Sequence, residues 1–366
     1  MSENQTGNTP AGAVLHVDPT VGDGMVAIPG GDMLLVADYV REGSDLILVG
    51  PEGQTVVVDN YFSMANPPAL TTAGGARVPG DLVQKLAGPV APGQYAQSGD
   101  EQGEPIGQVE TVDGAGQIVR ADGTSEVLEA GVPIYQGDTL VTADGSTAGV
   151  IFADKTTLSI GEDARMVIDE MVYDPAVQEG SQLFSLMQGA FVITSGEIGK
   201  LNPEDVTVRT PTTTIGIRGT KYGVSVDQEG GGTMITVLEG TVIVANDAGT
   251  IELNTVGQST RAAGYDAAPE AAFSLGASQM NDVYGLVLKA HPTQPPLEVN
   301  VDSQENQQGQ EPEAEQQNEE DLEKLAEALD GVDTAAGGEA GEGEGDAEQT
   351  EEEMEQLAEQ LEETER

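Results

Sequence analysis

The 366-residue chain has no cysteine and no tryptophan, and only 14 of its residues are lysine or arginine. Without a thiol there is no disulfide framework, no thiolate metal site and no cysteine nucleophile. Aromatic residues make up 4% of the chain, so its interior must be built from Val, Ile, Leu and Ala, and two modest cores are expected rather than one large one. Against the few bases stand 64 acids, which leave a formal net charge of −50. That charge repels nucleic acid and anionic lipid wherever salt does not screen it, so no nucleic-acid partner is expected. No stretch approaches the roughly 18 consecutive apolar residues of a membrane helix, and "MSENQTGNTPAG" at the start has no basic segment followed by an apolar one. Neither a membrane-spanning segment nor a Sec-type signal is expected.

What is abundant is turn chemistry. Between Ala13 and Phe62, the runs "AVLHV", "DMLLVADYV", "DLILVG" and "TVVVDNYF" are separated by "VGDG", "PGGD" and "PEGQ", so residues 1–66 predict a small β-rich module with a hairpin across "DLILVG-PEG-QTVVV". Residues 67–106 turn to Pro, Gly, Ala and Gln and predict a connector around one short helix at "DLVQKLAG". From 107 to 262, turn signals recur at intervals of about ten residues with Val, Ile, Thr and Phe between them, which predicts an all-β domain. In "STAGVIFAD" the side chains of Ala148, Val150 and Phe152 fall on one face and those of Ile151 and Ala153 on the other. Strands buried on both faces are therefore expected, as in a sandwich interior or a twisted solenoid. Residues 263–296 are expected to be a linker.

From 297 to 366 there are 26 acids against Lys324 and Arg366, so this tail carries −24. Such a composition cannot bury enough apolar surface to offset chain entropy, and a mostly disordered segment is predicted. Two related pieces interrupt it, with apolar stripes at Leu322, Leu325 and Leu329 and at Met354, Leu357 and Leu361. Their i, i+3, i+7 spacing predicts short amphipathic helices near 319–330 and 351–364, the second with a capping box between Thr350 and Glu353. They suit either a solubilising tail or a docking pair.

The stretch "TPTTTIGIRGTKYGV" (210–224) gathers Arg218 and Lys221, with Arg209 just before it, into thirteen positions of a chain poor in cations. It is not a phosphate loop: the spacing of "GIRGTKYG" differs from G-x-x-x-x-G-K-[ST], and a strand follows where a helix is needed. Its apolar phase is even at Val206 and Val208, odd at Ile215 and Ile217, and even again from Tyr222 to Val226. Each phase change requires a bulge or a turn, which predicts three short strands joined by corners at Pro211 and Gly219. Arg209, Arg218, Gly219, Thr220 and Lys221 are the candidate partner-binding or fold-maintaining residues. Arg218 is expected to tie neighbouring turns together by a bidentate bond to a carboxylate or to carbonyls, for example near Asp138.

No catalytic, cofactor-binding or metal-ligating set is expected. His16 and His291 lie at opposite ends of the chain, and neither H-E-x-x-H nor the D-x-D-x-D-G calcium loop occurs. Carboxylates are plentiful enough for a paired-carboxylate hydrolase, but the scarcity of aromatics leaves no sugar platform.

"VRADGT" (119–124), "GDTLVT" (137–142), "VIFADKTTLSI" (150–160), "LMQGAFVI" (186–193), "VRTPTTTIGIRGTKYGV" (208–224) and "VLEGTVIV" (237–244) follow in the order found in the FecR domain. Residues 107–262 resemble that domain, the extracytoplasmic part of bacterial iron-citrate-type signalling regulators. Arg218, Gly219 and Thr220 fall on the family's Arg-Gly-Thr, and Lys155 stands where relatives commonly carry a turn glycine. The resemblance implies a mainly β, twisted, solenoid-like or sandwich domain that binds protein partners, has no catalytic residues and uses no cofactor. Signalling members carry an anti-sigma segment and a membrane helix before this domain, and a short secretin and TonB N-terminal domain after it. With "ADYVREGSDLILVGPEGQTVVVDNYF" (37–62) and "LAGPVAPGQYAQ" (86–97) leading into the FecR-like part, the first hundred residues resemble the N-terminal module of alphaproteobacterial surface proteins and biofilm adhesins exported by type I secretion. Relatives of that kind are cut at a Thr-Ala-Ala-Gly site, a sequence present here at Thr334–Gly337. Two functions are therefore expected in order: a non-catalytic envelope or surface interaction module, then a ligand-responsive regulator of the FecR type. Periplasmic or surface location, reached by non-classical or type I export, is implied by resemblance; cytoplasmic retention is the alternative.

Overall fold

The computed structural model describes residues 14–19, 24–89, 103–177, 179–228 and 230–290. Its N-terminal module contains β1 (Val14–Val17), β2 (Met25–Ala27), β3 (Asp38–Glu42), β4 (Asp45–Val49), β5 (Thr55–Val58), β6 (Ala69–Thr71), β7 (Arg77–Val78) and α1 (Gly80–Leu86). One sheet has the order β1-β5-β4-β3 and a second the order β2-β6-β7. The β4–β5 hairpin pairs Val49 with Thr55 as the turn chemistry predicts, and period-two alternation turns Leu46, Leu48, Val56 and Val58 inward. The connector expected from residue 67 needs correction. Leu70, Val78, Leu82 and Val83 are buried in the module's own core. The Pro and Gly content that suggested a linker serves close backbone approach instead: a Cβ on Gly75 would lie 3.1 Å from Gly264 Cα, and one on Gly80 only 2.0 Å from the Pro67 carbonyl oxygen.

The remainder is mainly β. Its strands are β8 (Gly107–Asp113), β9 (Gly116–Val119), β10 (Ser125–Val127), β11 (Pro133–Ile134), β12 (Thr139–Thr142), β13 (Thr147–Phe152), β14 (Thr157–Ile160) and β15 (Arg165–Asp174). They continue as β16 (Glu179–Thr194), β17 (Val206–Arg209), β18 (Thr214–Val226), β19 (Thr233–Asn246), β20 (Gly249–Leu253), β21 (Gln258–Ala262) and β22 (Phe273–Ser274). Two helices complete it, α2 (Glu197–Leu201) and α3 (Ala277–Lys289). All these strands join one continuous sheet, folded around a core that includes Phe152, Phe184, Phe191 and Tyr222. Every residue of β13 is buried, which explains the loose alternation of its sequence.

The sheet's outer face is covered in two places. The N-terminal module packs on β15 and β16 through Val167 and Met187. Arg165 reaches from β15 to the Ala37 carbonyl at 2.7 Å, while Lys85 reaches back from α1 to Asp169 at 2.7 Å. Farther along, α3 buries Met280, Tyr284 and Val287 against Val192, Met234 and Leu238. The linker expected over 263–296 is thus corrected for its described part: the apolar stripe of α3 makes it a structural helix.

Lys85→Met tests the first junction. The Asp169 side chain is fully buried and, among the described residues, would retain the Ser185 hydroxyl at 2.5 Å as its one donor. Because Lys85 is itself about one-third exposed, the expected loss is about 2 kcal/mol rather than the larger cost of breaking a fully buried pair. Urea denaturation would measure it; an unchanged midpoint would show that the junction does not depend on this ion pair.

Candidate functional site

Around Arg218 the backbone makes a two-against-one bulge. In the ladder between β18 and β19, Arg218 stands opposite Thr241 and Lys221 opposite Glu239, so Gly219 and Thr220 together face Gly240. Gly219 has φ +56° and Gly240 φ +76°, a region that glycine enters without steric cost. This is a correction of detail, since β18 is one strand of 13 residues in which the second phase change is absorbed by the bulge and only the first by a turn. The bulge also switches partners. Before it β18 pairs with β17, and after it with β16.

Buried hydroxyls hold both ends. The Thr220 N–H donates to Ser195 Oγ at 3.2 Å, and the Ser195 N–H donates to the Thr220 carbonyl at 2.9 Å. At the turn before β18, the Thr210 N–H donates to the Thr213 carbonyl at 2.9 Å. Thr233 Oγ1 lies 2.7 Å from Thr212 Oγ1 and 2.9 Å from Thr210 Oγ1. The threonine run therefore satisfies a sharp, buried turn from within.

On that frame Arg218 is exposed, and its side chain has no hydrogen bond or ion pair among the described residues. The bond expected from Arg218 to a carboxylate or to carbonyls, for example near Asp138, is not made among the described residues. Asp138 is taken by Arg120, whose Nη1 donates to its Oδ2 at 2.6 Å and to the Pro133 carbonyl at 3.0 Å. Arg120 also pairs with Glu126 and lies 5.2 Å from the Tyr135 ring centroid. Its side chain is 6% exposed and that of Asp138 2%. Arg120 stands in the "VRADGT" segment, followed by Glu126 and Asp138. That is a signal of an arginine with two acids downstream, but sequence distance gives it no more weight than Arg218. Arg209 donates to Asp81 of α1 at 3.1 Å, so the three clustered cations do not form one basic spot.

The outer face beyond the bulge leaves Ile243 exposed beside Gly216. Across β17, β18, β19 and β20 the register aligns Thr207, Gly216, Ile243 and Glu252. Ile243 is 42% exposed, and a Cβ on Gly216 would meet nothing within 4 Å.

A second polar cluster sits in the turn between β13 and β14, against α2 and β15. Asp154 accepts from the Thr156 N–H at 2.9 Å and from the Thr156 hydroxyl at 2.9 Å, and its carbonyl accepts the Glu197 N–H at 2.7 Å. Burial raises the Asp154 carboxyl above its ordinary range, outweighing those bonds. Lys155 holds φ +68°, which explains why a turn glycine suits this position, and pairs with Glu197 at 2.7 Å. Glu197, lowered chiefly by its bond to Lys155, accepts from the Tyr173 hydroxyl and pushes that phenol up to about 12. These groups bond one another and cap α2, which is a structural role.

Residues 138–243 match the family described as FecR protein. This FecR-matched segment runs from Asp138 to Ile243 and contains the bulge, the threonine turn and the Asp154 cluster. Arg120 and Lys85, which neutralise its buried Asp138 and Asp169, both lie outside it. Two crystal structures of a candidate anti-sigma factor from Parabacteroides distasonis ATCC 8503, at 1.65 and 2.50 Å resolution, are similar at 15% and 16% identity with TM-scores of 0.30 and 0.29. Each similarity covers 37% of this chain, which spans 59% of the solved one. No curated protein matches the chain.

Proposed function

We propose that this protein is a non-catalytic FecR-type module of the bacterial cell envelope or surface that binds a protein partner through the open face around Arg218. The observation that supports it most is an exposed arginine without a counter-ion among the described residues, held on a glycine bulge whose neighbours are fixed by buried hydrogen bonds. Ordering costs on binding fall when the contact group stands on a rigid frame. The FecR match over 138–243 supports an envelope role, and the charge of −50 favours a protein over a nucleic-acid partner. A ligand-responsive regulator of the FecR signalling type is the second reading, favoured by the same match. A neighbouring sigma-factor gene and TonB-dependent receptor would point to it, and a neighbouring type I exporter to the first.

Fractionation of cells carrying the full chain, followed by cross-linking, tests the proposal. The chain is expected in the periplasmic or surface fraction, with a cross-linked partner that Arg218→Glu loses. Purely cytoplasmic protein would overturn it.

A further inference from the structure

We infer that the outer face of the N-terminal sheet β1-β5-β4-β3 is a docking surface for a basic amphipathic helix of a protein partner. It is a second contact surface, independent of the one around Arg218.

The strands of this sheet are patterned for burial on both sides. A sheet with one solvated face alternates apolar and polar residues, yet "LILV" in β4 and "VVV" in β5 are apolar in both parities, and "VLHV" in β1 nearly so. One parity is accounted for, since Leu46, Leu48, Val56 and Val58 lie in the module's core. The register carries the other parity across all four strands in rows. Val40, Ile47, Val57 and His16 form one row, and Asp38, Val49, Thr55 and Val14 form the next. Val14 is 57% exposed and Val40 43%, and no side chain of either row belongs to a hydrophobic cluster of the described residues. The large sheet shows what such a face accepts in this fold: α3, an amphipathic helix, lies on it through Met280, Tyr284 and Val287.

Charge selects the occupant. Beyond the row of Val40 the same face ends in a line of carboxylates. Glu42 stands opposite Asp45, and Asp59 follows β5 beside His16, whose Nδ1 lies 2.9 Å from its Oδ1. Asp45 accepts the Asn60 N–H at 2.6 Å, and Asp38 closes the opposite corner. A carboxylate has about four acceptor positions, so these acids retain sites for further donors. Neighbouring strands are about 4.8 Å apart, close to the roughly 5–6 Å between helix side chains one turn apart. Lysines or arginines at i and i+4 would therefore meet the acidic line while an apolar stripe beside them covers Val40, Ile47 and Val57. Arg41 does not oppose this, because it has the other parity and lies over the Phe62 ring at 4.2 Å. A second copy fits poorly: its acidic border would meet this one on a chain of net charge −50. The two apolar rows also span only roughly 15 by 10 Å, far below the roughly 800 Å² per partner of a stable dimer.

Because the chain has no cysteine, Val40→Cys places a single thiol on the face. In the full chain this thiol should react freely with a maleimide. A synthetic helix with leucines on one side and lysines on the other should slow the reaction about tenfold or more at saturation, the effect of about 1.4 kcal/mol. A peptide of the same composition in scrambled order, which keeps the charge and loses the stripe, should give no protection. Glu42 is exposed, so adding Glu42→Lys changes the border without touching the core; it should weaken protection by the lysine helix, and an unchanged urea midpoint would exclude loss of folding. Equal protection by the scrambled peptide, or protection indifferent to Glu42→Lys, would overturn the inference. So would a thiol already shielded in the free chain: shielding that grows with protein concentration would assign the face to a second copy, and shielding that does not would assign it to another segment of the same chain. Arg218→Glu should leave the protection unchanged, so this inference and the reading of the Arg218 face stand or fall separately.

Discussion

Arg120→Met is expected to destabilise the protein by about 3–5 kcal/mol, because it leaves the Asp138 carboxylate buried without a cation. Asp138 would retain the Tyr135 N–H at 2.8 Å, too little to replace a guanidinium that also ties the Pro133 carbonyl and Glu126. Burial already raises the Asp138 carboxyl above its ordinary range and loss of the guanidinium would raise it further, so protonation would relieve more of the cost as the pH falls. The second half of a double-mutant cycle separates a pair that stabilises from one whose partner is merely costly to strand. Arg120→Met with Asp138→Leu is expected to recover most of the loss, since a buried ion pair exchanged for apolar groups of similar volume is often neutral. Guanidinium denaturation of the four proteins measures this; a single-mutant loss below about 1 kcal/mol, the range of surface pairs, would contradict the assignment.

Gly240→Ala should cost about 2–5 kcal/mol, whereas Gly219→Ala should cost only about 1–2, although the two glycines share one bulge. Both have positive φ, so both substitutions incur the left-handed penalty of roughly 1–2 kcal/mol. They differ in space. A Cβ on Gly240 would lie 2.2 Å from the Gly219 carbonyl oxygen and 2.9 Å from Thr220 Cγ2, while one on Gly219 would meet nothing within 4 Å. The obstacle at Gly240 is backbone, held by the Ser195–Thr220 bonds, so relief requires moving the bulge and adds an overpacking cost of about 1–3 kcal/mol. Thermal and urea unfolding of the two variants side by side would check the order. Equal losses would mean that the bulge yields freely, and the rigid presentation of Arg218 would lose its basis.

Much of this architecture was legible in the sequence because strand residues carry their face in their parity. The shift from Val208 to Ile215 and back at Tyr222 located both irregularities of 206–226, and the positive φ of Lys155 and Gly219 explains the turn residues there. Composition misled where glycine serves packing. "TTAGGARVPG" looked like a linker, but its glycines let one backbone approach another. α3 was missed because "SLGASQMNDVYGLVLKA" places polar residues and a glycine among its apolar ones; its helical stripe acquires meaning only against Val192 and Met234. Partners of buried charges were the least legible part. Asp138 could have met any of several arginines, and only the fold puts Arg120 beside it and Arg218 on the surface. The expected helices near 319–330 and 351–364 and the Thr334–Gly337 sequence lie outside the described residues.

Two arginines of this fold differ in burial: Arg120 is enclosed beside Asp138, whereas Arg218 is exposed, where we propose that it meets a partner. The most direct test of this difference is the urea midpoint of Arg218→Met measured beside that of Arg120→Met. Arg218→Met is expected to stay within about 0.5 kcal/mol of the parent, as for an exposed side chain without partners among the described residues, and Arg120→Met to lose much more. A loss at Arg218→Met comparable to that at Arg120→Met would contradict it and return Arg218 to the maintenance of the fold.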